Sequence, residues 1–168
     1  FGTNTAPGIV VKVALGSGGA APTRVGALTL NAGENYLKCA AANTSTGYAF
    51  FGTYTSPGIA VKVALGSGAA VPTRVGAVTL NSGEDLFTCA VLNTSDQWAW
   101  FGADTAPGMA VAVFLGIGAN MPERITAVPF NAGENNITSA YIDVENDTGY
   151  FVTGTDPASI VIVDFSSW

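Results

Sequence analysis

The chain has 168 residues, 48% of them apolar and 11% charged, with a net charge of −6 and no histidine. That much hydrophobicity with so little charge argues against disorder, and an acidic balance argues against a nucleic-acid partner. No apolar run approaches the roughly 18 residues of a membrane-spanning helix.

The absence of histidine also narrows the chemistry. It removes the usual general base for a Ser or Cys nucleophile, the commonest metal ligand and the near-neutral pH switch. Neither a Gly-rich phosphate loop ahead of a helix nor a zinc-like cysteine spacing is present. These lacks point away from catalysis and toward structure or binding.

In chain order, a Phe-led motif opens at Phe1, Phe51, Phe101 and Phe151, a period of fifty residues. Periods of twenty to fifty signal solenoids, propellers or arrays. The second copy shows its parts. Tyr48 to Tyr54 is aromatic and suits a pleated surface. Thr55-Ser56-Pro57-Gly58 reads as a type II turn with positive φ at Gly58. Ile59, Val61, Val63 and Leu65 then alternate with smaller or polar residues at the period of a strand. The fourth copy has Pro157-Ala158 instead, which a type I turn tolerates.

Each period holds four strand-like segments. In the most complete unit these are Leu86–Leu92, Trp98–Ala103, Met109–Leu115 and Arg124–Phe130. No segment has helical periodicity, so the chain reads as all-β, an array of four-stranded antiparallel units. The second segment is apolar on both sides (Phe50 with Phe51, Trp100 with Phe101), which demands cover on both faces. The fourth reads as an edge because Pro129 cannot donate to a ladder. Residues 1–31 form a partial unit, 32–81 and 82–131 form complete ones, and 132–168 form another partial one. The chain opens inside a repeat, as a processed polypeptide or a portion of a longer one would.

Charge is distributed unevenly. Residues 1–83 carry five basic groups and one acid, whereas residues 84–168 carry one basic group and eleven acids. Opposite signs on the two halves suggest head-to-tail attraction within or between chains. Arg24, Arg74 and Arg124 recur, each followed ten residues later by a glutamate (Glu34, Glu84, Glu134), and read as repeated surface or inter-unit ion pairs. Cys39 and Cys89 occupy one place in successive units, either as buried thiols or as a unit-to-unit disulfide. Asn43, Asn93, Asn136 and Asn146 fit the N-glycosylation acceptor pattern. Asp143, Glu145 and Asp147 loosely resemble the start of a calcium loop without its closing glutamate. Calcium is the one cofactor with any candidate, and none is otherwise expected.

Phe1-Gly2-Thr3-Asn4 and Phe151-Val152-Thr153-Gly154, each followed by a turn and a Val-x-Val strand, resemble the Tyr-Val-Thr-Asn repeat of β-propellers in microbial surface-layer proteins. The resemblance covers the whole chain. It implies four-stranded blades, with the cysteine-bearing strand lining a central channel and the arginine-bearing strand outside. The expected function is that of an extracellular or cell-surface structural repeat protein. Its blades would assemble with copies of itself or with the remainder of a longer propeller chain. A multivalent glycan- or protein-binding module is the alternative, with a lactonase-like propeller enzyme behind it. Asn4, Tyr54, Asp104 and Gly154 share one repeat position, and their variety argues against one ligand site per repeat.

Overall fold

The computed structural model describes residues 1–95 and 97–166. Asp96, which the sequence places in a turn, lies outside the described residues, as do Ser167 and Trp168 of the fourth unit. The described residues contain thirteen strands and no helix. The first sheet pairs β1 (Ile9–Ala14) with β2 (Thr23–Thr29). The second runs in order through β3 (Leu37–Asn43), β4 (Tyr48–Thr53), β5 (Ile59–Ala64) and β6 (Thr73–Thr79). The third repeats this with β7 (Phe87–Asn93), β8 (Trp98–Ala103), β9 (Met109–Phe114) and β10 (Glu123–Pro129). The fourth holds β11 (Ile137–Asp143), β12 (Thr148–Thr153) and β13 (Ile160–Asp164). All pairings are antiparallel between sequence neighbours, and Gly2 adds a bridge to Val10 in the first sheet.

The motif turn differs from the sequence expectation. A cis peptide bond precedes Pro7, Pro57, Pro107 and Pro157, and Gly58 does not have positive φ. Glycine is required there for space. A methyl on Gly58 would lie 2.5 Å from the Phe87 ring of the next sheet, and one on Gly8 would lie 2.7 Å from Leu37. The turn is therefore a packing surface for the following sheet. Ala158, the fourth copy's substitute, is exposed, and its turn keeps the same cis-proline form.

The sheets stack face to face as blades, with β3 lying against β7 and β7 against β11. Because side chains alternate across a strand, each middle strand serves two cores. Phe51, Ala49, Val61 and Val63 meet Val10 and Leu30 between the first and second blades. Phe50 joins Phe87, Phe101, Val111 and Val113 between the second and third. Trp100 joins Phe130, Ile137, Phe151 and Phe165 between the third and fourth, stacking on Phe165 with ring centroids 3.9 Å apart. The Phe-Phe and Trp-Phe pairs thus point to opposite neighbours.

This places most of the stability in the seams between blades. Trp100→Ala should cost about 3–5 kcal/mol, whereas Tyr141→Ala, on the uncovered face of the fourth blade, should stay within about 0.5 kcal/mol. Urea unfolding of the two variants checks this, and equal losses would contradict the assignment.

Candidate functional site

The repeated unit of chemistry is the seam between blades. Each glutamate sits in the connector leading into a blade, where its own Oε2 accepts the N–H of Asn31, Asn81 or Asn131. The arginine projects from the outer strand of that blade. Arg74 donates to Glu34 and Arg124 to Glu84 through paired contacts of 2.5–3.1 Å. The partners are therefore forty residues apart, a correction to the ten-residue reading. The arginine ten residues upstream of each glutamate lies on the preceding blade's outer strand. Only the arginine of the following strand reaches the connector. Burial alone would raise the Glu84 carboxyl, but Arg124 and the Asn81 N–H outweigh it and hold it below the usual carboxylate range. Arg24 and Glu134, the ends of the series, have no such partner among the described residues.

A second device was not legible as a site. Lys62 is fully buried with no carboxylate beside it. Its ammonium donates to the backbone carbonyls of Leu115, Gly116 and Asn120 at 2.7–3.0 Å, in the loop of the next blade. The Tyr48 ring lies 4.5 Å from it, a favourable cation–π distance. Desolvation lowers its pKa. Lys12 repeats the clamp on Gly66 and Ala70. The third copy has Ala112, and the third seam is closed by the Trp100–Phe165 stack instead. The available signal was a lysine recurring in the middle of an apolar strand at positions 12 and 62.

Hydroxyls brace the motif turns. Thr53 Oγ1 accepts the Ile59 N–H and bonds Thr55 Oγ1, which donates to the Pro57 carbonyl. Ala103 replaces that threonine in the third copy, and Thr105 Oγ1 is left buried without a partner. Tyr54 and Asp104, at equivalent positions in adjacent blades, are themselves joined by a 2.6 Å hydrogen bond.

The remaining candidates do not assemble into a reactive site. Cys39 and Cys89 are free thiols, which corrects the disulfide reading. Cys39 faces the seam between the second and third blades, over Gly52, while Cys89 faces the next seam, over Gly102. Both sulfurs face the blade that follows their own, and this keeps them in successive seams. Burial pushes the Cys89 thiol up to about 11 and the Cys39 thiol higher still. Asp143, Glu145 and Asp147 form no ligand cluster. Asp143 spends its carboxylate on the N–H groups of Glu145 and Asn146 and on the Asn146 amide, closing a turn. Asn43 and Asn93 are buried, with their side-chain oxygens accepting turn hydrogen bonds, while Asn136 and Asn146 are exposed. A glycan needs an exposed acceptor amide, so the exposed pair fits the acceptor role better.

Two faces lack a covering sheet. On the fourth blade Tyr141, Ile160 and Ile162 are each more than 60% exposed. Tyr141 and Ile162 occupy the row that Phe50 and Trp100 occupy in covered blades, and Ile160 the row of Gly52 and Gly102. On the first blade Phe1 is 75% and Leu15 72% exposed. Beside them lies a groove of about 400 Å³ lined by Val11, Val13, Ala40, Ala42, Ala49 and Phe51.

Successive antiparallel sheets stacked face to face, with their first strands adjoining, define a β-propeller-type fold. Solved structures share it. The chain resembles hydrazine synthase of Kuenenia stuttgartiensis with a TM-score of 0.67 at 9% identity, over 86% of this chain and 38% of that one. It also resembles a protein described as a putative 6-phosphogluconolactonase from Bacteroides uniformis (0.61, 11% identity, 76% of this chain and 36% of that). A protein of unknown function from Desulfotomaculum acetoxidans is similar as well (0.54, 12% identity, 85% and 43%). The chain thus spans well under half the length of each of these proteins. No protein-family model and no curated protein matches it.

Two outcomes follow from the seam chemistry. The depressed Glu84 carboxyl adds stability that is complete above its unfolded value of 4.5 and is lost as pH falls through the folded value. Glu84→Gln should therefore flatten the acid limb of a stability–pH curve measured by urea unfolding. Lys62→Met should cost about 2–4 kcal/mol, because it leaves three carbonyls unanswered in a dry seam. Thermal unfolding that left the melting temperature unchanged would show the clamp to be inert.

Proposed function

We propose that the protein is a structural repeat protein of the surface-layer propeller kind, acting at the cell surface or outside the cell. Its blades associate with further blades, from copies of itself or from the remainder of a longer chain. The observation that carries this reading is the pair of uncovered faces. Each presents the half-seam that is dry everywhere else in the molecule, and contiguous apolar patches of that kind mark interaction sites. The opposite charge of the two halves favours head-to-tail contact over like-to-like contact. Two exposed acceptor asparagines and a weakly charged surface support an extracytoplasmic setting. A non-catalytic role is supported by the lack of histidine and by half-buried cysteines that pack against separate cores.

Sedimentation velocity across a concentration series is the test. Association should appear in the micromolar range and persist in high salt, because most of the contact is apolar. A chain that stays monomeric at about 50 μM, a concentration on the order expected for such a face, would end the reading that copies of this chain cover one another.

A further inference from the structure

The seam between the second and third blades is not sealed at the end where Lys62 is clamped. A cleft of about 70 Å³ opens there, between the turn after β3 and the loop after β9. Asn43 and Tyr48 line one side, Gln97 another, and loop residues 116–118 the third. None of the described residues lining it is charged.

The walls carry donors with nothing to donate to. Asn43 is only 4% exposed. Its Oδ1 accepts the Ser45 hydroxyl and the Thr46 N–H, and an N–H donor there fixes which end of the amide is the oxygen. The Asn43 amide nitrogen is then left over. It has no partner among the described residues, yet it is not closed off from solvent. The cleft is the opening that Asn43 lines. The side-chain amide of Gln97 is unengaged as well among the described residues. On the facing wall φ is positive at Gly116 and Gly118. The N–H groups of Gly116, Ile117 and Gly118 make no hydrogen bond among the described residues. Consecutive free N–H groups in a turn that enters the left-handed region form a concave nest for an anion.

The charge of the site is set from behind the wall. Lys62 does not line the cleft, but its ammonium donates to the Leu115 and Gly116 carbonyls and lies 4.5 Å from the Tyr48 ring. All three of those residues do line it. A buried cation without a counter-ion is costly, and an anion in the cleft would supply one across a single layer of protein, where screening is weak. The other seams lack this combination. Lys12 is only half-buried in the first, and Ala112 stands at the lysine position in the third.

We infer that the cleft binds a small organic monocarboxylate. The space suits a group the size of a few water molecules, which excludes a nucleotide. The two oxygens of a carboxylate can be shared between the Asn43 amide and the loop N–H groups. Tyr48 and the exposed Ile117 offer a short alkyl tail an apolar face. A phosphate would find no side-chain cation to touch, because the Lys62 ammonium already donates to three carbonyls. A free acid and a peptide C-terminus present the same group. The site lies within one chain, so it stands or falls separately from the proposed association.

Propionate titrated into the chain is the test, followed by the amide resonances of Ile117 and Gly118 in a nitrogen–proton correlation spectrum. They should shift saturably, with a dissociation constant on the order of 1 mM. Neutral propionamide, and chloride at equal ionic strength, should leave them in place. Asn43→Asp keeps the oxygen that closes the turn, as Asp143 does in the fourth blade, but puts an anionic oxygen where the amide nitrogen was. It should weaken propionate binding at least tenfold. Gln97→Glu, whose side chain takes no part in the turn, should weaken it several-fold and repeats the test if the first variant unfolds. An acetylated dipeptide with a free C-terminus, set against its amidated form, separates the sources. Binding of the free form supports a chain end as the ligand, and binding of propionate alone supports a free acid. No saturable shift by about 50 mM propionate, on the scale of so weak a site, would overturn the inference. Equal binding of propionamide, or undiminished binding by the folded variants, would overturn it too.

Discussion

The structure depends on one constraint, which is that a strand apolar on both faces cannot stay dry within a single sheet. β4 and β8 carry aromatic pairs that point in opposite directions, so the two blades built on them need a neighbour on either side. The packing of Trp100 on Phe165 and of Phe87 on Phe101 is where this burial is realised. Burying such rings contributes on the order of 2–3 kcal/mol each, which is large against the marginal stability of a domain. Stacking is thus a condition of folding, and the glycine of the first three motif turns leaves room for it.

Polar groups are then fitted to the seam rather than the seam to them. Burying a charge is costly unless it is answered, and the chain answers it in two ways. The arginines find carboxylates that are already braced by a backbone N–H. The lysines find carbonyls in the loop of the next blade, with no counter-charge at all. The arginine ties the outer strand of a blade to the connector that enters it, and the lysine ties a strand to the loop of the next blade, so together they give the stack its registration as well as its cohesion. Where a copy loses such a group, the seam adapts locally. Ala112 yields to an aromatic stack, and Ala103 strands the Thr105 hydroxyl.

The proposed association rests on the same physics. An array whose interior seams are dry and whose terminal faces are wet carries unsatisfied apolar surface at both ends. The faces differ in shape, since one is a groove walled by alanines and the other carries projecting tyrosines. They differ in charge as well, an asymmetry that under the proposed function would favour head-to-tail contact over like-to-like contact.

Much of this was legible in the residues. The fifty-residue period, the four strands per unit, the edge position of the Pro129 strand and the need for cover on both sides of Trp100 all follow from local pattern. Local pattern sees only neighbours along the chain, and so it misjudged what depends on neighbours in space. It read the motif turn as a left-handed glycine turn, because Phe87 packing on Gly58 is invisible at a separation of twenty-nine residues. It joined each arginine to the glutamate ten residues on, because the connector that carries the true partner folds back from the preceding blade. It allowed a Cys39–Cys89 disulfide, because equal repeat positions look adjacent until the stack shows both sulfurs facing the same way, each into the seam beyond its own blade. The sequence by itself determined the unit and its hydrophobic demands. Only the tertiary structure decided which groups meet, because every contact at issue joins residues far apart along the chain.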